Sequence, residues 1–128
     1  MKKAFLKSVA ALCLIVGLLT VSSCHKEGLG GNASISGTVY HHEAAIPNAV
    51  VYIKFNTTDF PGDTPESYDA STTVDGNGKY IFQKVYKGDY YIYGIGFDKN
   101  IQEIVKGGVG IKVKKNKVYS QDVPVTED

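Results

Sequence analysis

The histidines are the side chains of this sequence best suited to holding a metal or moving a proton near neutral pH. His41 and His42 are adjacent in a predicted turn, and His25 precedes a glycine-rich stretch. Consecutive residues of an extended chain point to opposite sides, so an adjacent pair rarely binds one ion. Zinc sites need three or four ligands, and the sequence contains neither a CxxC nor an HExxH motif. The sequence therefore predicts solvated turn histidines and no metal site.

Residues 75–79 (DGNGK) have some likeness to the start of a calcium-binding loop. An EF-hand would need an oxygen ligand at the position of Lys79 and a glutamate at the position of Tyr86, and neither residue can supply that ligand. Glycine and asparagine tolerate the positive φ of a tight turn, so a hairpin turn is predicted here instead. The sequence gives no basis for a Ser–His–Asp catalytic triad, because no histidine lies in a catalytic context. We therefore expect no catalytic residue, no cofactor and no enzymatic activity.

All nine tyrosines follow residue 39, and there is no tryptophan. Tyr90, Tyr91 and Tyr93 lie in one predicted strand, where successive side chains face opposite sides. Tyr90 and Ile92 would face the core and leave Tyr91 and Tyr93 on the other face. Those two rings either fill a second layer or stand on a solvated sheet face, where they would stack on sugars or contact a protein. Tyr91 and Tyr93 are the candidate binding residues.

Cys24 follows a segment typical of an export signal. Lysines at residues 2, 3 and 7 precede an apolar run over residues 9–19. That run is too short to predict a membrane-spanning helix, which needs about 20 apolar residues. The tetrad Val-Ser-Ser-Cys at residues 21–24 resembles a bacterial lipobox, which implies cleavage before Cys24, a lipid on its thiol and anchoring to a membrane. The alternative is a chance cysteine after an ordinary secretory signal.

The charge balance argues against a nucleic-acid partner. The 14 basic residues are all lysines, against 13 acidic residues. Arginine is the residue best suited to forked contacts with phosphates and bases, and it is absent. Loss of the three signal-peptide lysines would leave a net charge of about −2, which gives no strong steering toward a polyanion.

The chain divides into three predicted parts: a lipoprotein signal peptide over residues 1–23, a flexible tether over residues 24–33, and a domain over residues 34–128. The tether stretch HKEGLGGN is polar and glycine-rich. As a flexible chain it would span about 15 Å root-mean-square, so the domain would sit close to the membrane.

Short strands recur through the predicted domain. Period-2 alternation with β-branched and aromatic residues predicts them over residues 34–40, 48–55, 68–74, 79–83, 89–97, 108–114 and 117–125. The last two strands are expected to form a hairpin around residues 115–116. Residues 56–67, with two prolines and a glycine, are predicted to be a long loop. We therefore predict an all-β fold, an antiparallel β-sandwich of about seven strands.

Three stretches of the predicted domain carry a family resemblance. They are residues 35–53 (ISGTVYHHEAAIPNAVVYI), 73–82 (TVDGNGKYIF) and 85–92 (VYKGDYYI). In order and spacing they resemble the carboxypeptidase regulatory-like (transthyretin-like, prealbumin-like) domains, over essentially residues 34–125. The chain departs from that pattern at Tyr86-Lys87, where the family often has proline before the glycine. The resemblance implies a transthyretin-like sandwich that acts as a non-catalytic accessory module, tether or receptor extension on exported bacterial proteins.

The motif residues also have physical roles. Gly37 would let a neighbouring strand approach its backbone closely. Gly78 and Gly88 suit turn positions with positive φ, and Pro47 belongs to the first turn. Four alternating residues on two strands are expected to line a common core, with tyrosine hydroxyls reaching backbone partners at its edge: Tyr80, Phe82, Tyr90 and Ile92.

Two enzyme families with related folds are disfavoured. 5-Hydroxyisourate hydrolases use histidines, an arginine and a carboxy-terminal Tyr-Arg-Gly-Ser, whereas this sequence ends in Val-Thr-Glu-Asp. Intradiol dioxygenases bind iron through tyrosines and histidines from distant segments, whereas His41 and His42 are adjacent. The expected function is a non-enzymatic, lipid-anchored cell-envelope module with a binding or assembly role. The alternatives are a carbohydrate-binding accessory of an outer-membrane nutrient-uptake system and, less favoured, a small transthyretin-fold hydrolase.

The residue after the lipid-bearing cysteine gives an expectation for location. His25 stands where an aspartate often retains lipoproteins at the inner membrane. We therefore expect the outer membrane, with the domain facing the periplasm or the cell surface and an envelope protein or a glycan as partner.

Overall fold

The computed structural model describes residues 26–127. The predicted signal peptide, Cys24 and His25 lie outside these residues. The described part contains nine strands: β1 (Leu29–His41), β2 (Ala44–Ala45), β3 (Val50–Phe55), β4 (Ala70–Thr73), β5 (Lys79–Val85), β6 (Gly88–Asp98), β7 (Glu103–Val113), β8 (Val118–Ser120) and β9 (Val123–Pro124). One 3-10 turn, Pro65–Ser67, lies between β3 and β4.

A search of residues 26–127 finds no helix with the length and apolar character needed to cross a membrane.

The strands form the two sheets of a β-sandwich, which confirms the predicted fold class. In the first sheet β1 pairs antiparallel with β2 and β5, and parallel with β8 and β9. The second sheet has the order β4-β3-β6-β7 and is antiparallel throughout. The sequence predicts an antiparallel sandwich, so the parallel pairing of β8 and β9 with β1 is a difference.

Alternate residues of the facing strands fill the space between the sheets. Tyr90 and Ile92 of β6 are completely buried, while Tyr80 and Phe82 of β5 are 3% and 5% exposed. Full burial of a large apolar side chain stabilises the fold by roughly 1.5–3 kcal/mol. Other core residues from both sheets are Ile35, Val39, Val51, Ile53, Val105, Ile111, Val113 and Val123. The expectation that Tyr80, Phe82, Tyr90 and Ile92 share one core is confirmed.

The second half of the predicted tether belongs to the sandwich. Leu29 opens β1 opposite Val85, and the Gly28 carbonyl accepts a hydrogen bond of 2.8 Å from the Tyr86 amide. A Cβ atom at Gly31 would lie 2.5 Å from the Val85 carbonyl oxygen. The tether expected over residues 24–33 is therefore wrong from Leu29 onward, because these glycines permit close strand packing.

The predicted hairpin around residues 115–116 does not form. After β7 the chain crosses to the first sheet, where β8 and β9 run beside β1. Gly37 permits this crossing, since a Cβ atom there would collide with the Gln121 carbonyl group, which also accepts a hydrogen bond from the Tyr80 hydroxyl. Thr126 then bridges to Lys106 of β7 through two backbone hydrogen bonds of 3.0 Å. The end of the chain thereby joins the two sheets.

The turn residues follow the sequence expectation in part. Gly78 has a φ of 76°, as its tight turn requires, and Pro47 lies half-buried in the connection between β2 and β3. The expectation for Gly88 is wrong, because Gly88 has no positive φ and begins β6 opposite Val113. Lys84 takes the left-handed conformation instead, with a φ of 56°.

Candidate functional site

Tyr91 and Tyr93 lie on the outer face of the second sheet, opposite the core-facing Tyr90 and Ile92 of the same strand. Tyr93 is nevertheless only 4% exposed, and Tyr91 is half-buried. The loop of residues 56–69 folds over this face and covers both rings. Of the two alternatives for these rings, Tyr93 therefore fills a second layer, which the loop supplies, and does not stand on a solvated face.

Tyr68 holds this loop against the sheet. Its ring stacks on that of Tyr93, with 5.5 Å between the centroids and 13° between the planes. Its hydroxyl donates a 2.7 Å hydrogen bond to the Gly62 carbonyl oxygen within the loop. Burial, together with the nearby phenols of Tyr91 and Tyr93, raises the pKa of Tyr68 well above its ordinary value. The loop is thus fixed in place by its own side chains.

The end of the loop is fixed to β3 by an aspartate. The Asp69 carboxylate accepts a 2.7 Å hydrogen bond from the Phe55 amide, and the Asp69 amide donates one of 2.9 Å to the Ile53 carbonyl oxygen. These bonds continue the strand pairing of β3 with the chain that leads into β4. They place Tyr68 directly over the sheet.

Two glycines of β7 make room for the aromatic layer. A Cβ atom at Gly108 would lie 2.6 Å from the ring of Tyr91, and one at Gly110 would lie 2.5 Å from the Thr58 carbonyl oxygen. Real Cβ atoms do not approach other heavy atoms this closely. Glycine at these positions therefore lets the Tyr91 ring lie across β7 and lets the loop reach the sheet.

Phe60 is the exposed member of this layer. Its side chain is 57% exposed, and its ring lies 5.9 Å from that of Tyr91 and 5.6 Å from that of Tyr93. The ring of Tyr52 in β3 lies 5.5 Å from that of Tyr68. We define the aromatic cluster as Tyr52, Phe60, Tyr68, Tyr91 and Tyr93. An aromatic ring held in place on a surface offers a flat apolar face to a sugar ring or to an apolar side chain.

Sequence patterns did not identify Phe60 or Tyr68. Phe60 lies in the predicted loop, where side chains follow no period that would place them on one face. The prediction of a strand over residues 68–74 is wrong at Tyr68, because β4 begins at Ala70. The one available signal was a phenylalanine among polar residues and turn-forming prolines, which is an unusual place for a large apolar ring.

The outer face stays apolar toward the far end of β6. Phe97 pairs directly with Ile104 of β7, and these side chains are 45% and 64% exposed. They lie on the same face of β6 and β7 as the aromatic cluster but outside it, because side chains at alternate positions of a strand share one face.

A second group of chemically capable residues surrounds His41. Its side chain is 4% exposed, so the expectation of a solvated turn histidine is wrong for this residue. Its Nδ1 atom lies 2.7 Å from the carboxylate of Asp98, and its Nε2 atom lies 2.5 Å from that of Glu127. The hydrogen bond between His41 and Asp98 raises the pKa of the histidine and lowers that of the aspartate. Asp98 also accepts a 2.8 Å hydrogen bond from the Asn100 amide.

His42 lies beside His41, although adjacent residues of a strand normally diverge. Its φ of 54° is in the left-handed region, which turns the chain so that the two rings approach to 4.2 Å between centroids. One ligand atom each from His41, His42 and Glu127 lies within 4.8 Å of the others. Two imidazoles and a carboxylate are a ligand set that suits zinc. The premise that these histidines point apart is therefore wrong.

Comparison with known proteins bears on the fold. No family model matches the sequence, and no curated protein matches it. Among solved structures, a protein of Pseudomonas aeruginosa provisionally named as carbohydrate-binding matches with a TM-score of 0.53 at 16% identity, over 81% of this chain and 93% of that chain. The major pilin subunit of Bacillus cereus matches with a TM-score of 0.51 at 13% identity, over 77% of this chain and 30% of that chain.

A DUF3823 family protein of Parabacteroides merdae is also similar, with a TM-score of 0.48 and 16% identity over 77% of this chain. This chain spans 47% of that protein's length. The two matches with TM-scores above 0.5 show a shared architecture and no more, because their identities are 16% and 13%. The chain is similar to β-sandwich proteins of bacteria.

Proposed function

We propose that this protein is a non-enzymatic β-sandwich module of the bacterial cell envelope, anchored by a lipid on Cys24, that binds a carbohydrate at the aromatic cluster. The resemblance of the sequence to carboxypeptidase regulatory-like domains supports an accessory role. The Val-Ser-Ser-Cys tetrad supports the anchor.

The exposure of Phe60 carries the binding part of this proposal. A phenylalanine that serves only the core would be buried, whereas this ring keeps 57% of its surface in solvent and rests on the rings of Tyr91 and Tyr93. Rigid aromatic rings bind with little loss of side-chain entropy. The shared fold and provisional name of the Pseudomonas aeruginosa protein support carbohydrate as the first ligand class to test.

A glycan screen with the processed wild-type protein tests the binding role. We expect binding to one or more glycans, and Phe60→Ala should weaken it at least tenfold, which corresponds to about 1.4 kcal/mol. Phe97→Ala is the matched control, because it removes an exposed phenylalanine ring that lies outside the cluster. Absence of glycan binding, or equal affinity of Phe60→Ala and wild type, would contradict the carbohydrate assignment.

Detergent partitioning tests the anchor separately. Wild-type protein should enter the detergent phase and resist a salt wash, since two or more acyl chains hold a protein stably in a membrane. Cys24→Ala should remain unprocessed or soluble. Cys13→Ala, which alters the other cysteine within the predicted signal peptide, is the control for loss of a thiol. Equal partitioning of wild type and Cys24→Ala would show that no lipid is attached there.

The expected location is the outer membrane. Proteinase treatment of intact cells distinguishes its two sides, because a surface-facing domain should be degraded and a periplasmic domain protected. Recovery of the protein with the inner-membrane fraction would overturn the assignment to the outer membrane.

A second candidate function is assembly with an envelope protein. The exposed cross-strand pair of Phe97 and Ile104 favours it, since adjacent exposed apolar side chains often mark protein contacts. Crosslinking in whole cells should then capture a partner that Phe97→Ala and Ile104→Ala lose and Phe60→Ala retains. The opposite pattern would place the contact at the aromatic cluster.

A further inference from the structure

The Nε2 atom of His41 is buried and has no hydrogen-bond partner among the described residues. The Glu127 carboxylate lies 2.5 Å away and pairs with Nε2 only when the ring is protonated, so in the neutral ring two acceptor atoms face each other. A buried polar atom without a partner is unfavourable by the desolvation free energy of that atom. A cation that binds both the Nε2 lone pair and the Glu127 carboxylate would remove this unfavourable free energy.

Asp98 fixes which nitrogen of His41 is available. An ionised carboxylate only accepts hydrogen bonds, so the 2.7 Å contact places the proton on Nδ1. In the neutral ring the lone pair is then on Nε2, which faces Glu127. A histidine that donates one ring N–H to a carboxylate and presents the other nitrogen is the arrangement found for metal-binding histidines.

His42 and Glu127 supply two further ligands at the same place. The left-handed conformation of His42 brings its ring beside that of His41, and the three ligand atoms lie within 4.8 Å of one another. They border an open cavity of about 440 Å³ that Glu43 and Asn100 also line. A proton on His41 would satisfy the two carboxylates, but it would give no role to His42.

We infer that His41, His42 and Glu127 form a binding site for a divalent transition-metal ion, of which zinc is the representative, with Asp98 as the positioning residue. Two nitrogen ligands favour such an ion over calcium or magnesium, which prefer oxygen. Three protein ligands leave one position of a tetrahedral ion open to the cavity.

Binding requires the ligand atoms to adjust their spacing, which is within 4.8 Å for the set and 2.5 Å for His41 and Glu127. Tetrahedral zinc with ligand bonds of about 2.0–2.2 Å separates a nitrogen from an oxygen ligand by about 3.4 Å. The Nε2 atom and the Glu127 oxygen are 2.5 Å apart, so the carboxylate must withdraw. Its side chain is 41% exposed and is free to do so, whereas His41 is held by Asp98.

Zinc and cobalt titrations of the processed full-length protein test the site. We expect one zinc ion per chain, no competition from calcium at the same concentration, and a visible Co²⁺ spectrum of tetrahedral type. Each of His42→Ala and Glu127→Gln is compared with its own metal-free melting temperature, because both side chains contact the buried His41 and their loss alters stability. Their zinc affinities should fall at least tenfold. Asp98→Asn should weaken zinc binding about 10–100-fold, as loss of a carboxylate partner of a ligand histidine does.

Two controls separate this site from adventitious binding. Glu43→Gln alters a carboxylate that borders the same cavity without belonging to the ligand set, and His25→Ala removes the remaining histidine. Both should bind zinc as wild type does. The inference is overturned if wild type binds zinc no more tightly than calcium, if His42→Ala and Glu127→Gln retain wild-type affinity, or if His25→Ala abolishes binding.

Discussion

The ring of Tyr68 lies flat against that of Tyr93, with 5.5 Å between their centroids and 13° between their planes. One residue belongs to a loop and the other to a strand, so the contact makes the loop of residues 56–69 part of the fold. The loop and the outer face of the second sheet thereby enclose a layer of aromatic rings that is smaller than the core. Phe60 is the member of that layer with most of its surface in solvent.

Truncation of Tyr93 and of Phe60 should have very different effects on stability. Tyr93→Ala removes a ring that is 4% exposed and should lower the free energy of unfolding by about 3–5 kcal/mol. Phe60→Ala removes a ring that is 57% exposed and should lower it by about 1 kcal/mol or less. Urea denaturation measures both. Equal losses would mean that Phe60 is structural, and it would then be unsuitable as a probe of binding.

The hydroxyl of Tyr90 should contribute to stability separately from its ring. It accepts a 3.0 Å hydrogen bond from the Gly28 amide and donates one of 2.6 Å to the Tyr86 carbonyl oxygen. Tyr90→Phe leaves the buried amide unpaired and should lower the free energy of unfolding by about 1–3 kcal/mol. Tyr91→Phe is the matched control and should change it by less than about 0.5 kcal/mol. Increased proteolysis near Gly28 in Tyr90→Phe alone would locate the effect, and equal stability of both variants would contradict it.

Gly108→Ala should displace the Tyr91 ring of the aromatic cluster. The new Cβ atom would lie 2.6 Å from the Tyr91 ring and 2.5 Å from the Ile92 carbonyl oxygen, so a shift is unavoidable. We expect a loss of about 1–3 kcal/mol, as for other overpacked sites, together with weaker glycan binding. Gly76→Ala is the control, because nothing lies within 4 Å of its Cβ position. A Gly108→Ala variant as stable as wild type would show that Tyr91 can move without cost.

The turn at Asp75 should make stability depend on pH. Its carboxylate accepts hydrogen bonds of 3.0 Å from the Lys79 amide and 2.8 Å from the Asn77 amide, which lower the pKa of Asp75. A lowered pKa in the folded state stabilises the fold above the unfolded value of about 3.9, and this stabilisation is lost as the pH falls through the folded value. Asp75→Asn should therefore be less stable than wild type at neutral pH, and the difference should shrink below about pH 4. Denaturation across that range measures it, and a constant difference would contradict the charge effect.

Local patterns in the sequence determined the fold class and most of the core. Alternation along β6 placed Tyr90 and Ile92 inside and Tyr91 and Tyr93 outside, because successive side chains of a strand face opposite sides whatever the rest of the protein does. The turn at Gly78 was equally readable, since the chemistry of a tight turn is contained in four residues. The lipid on Cys24 is a prediction from the sequence alone.

Only the tertiary structure decided what covers each surface and which distant groups meet. Burial of Tyr93 depends on a loop with no periodic pattern, and the ordered start of β1 depends on a phenol from β6 that pairs with Gly28. His41 meets Asp98 and Glu127 because the strands that carry the first two end at the same side of the sandwich, where the end of the chain returns. Such contacts join residues far apart in sequence, and a pattern with a period of two residues holds no information about them.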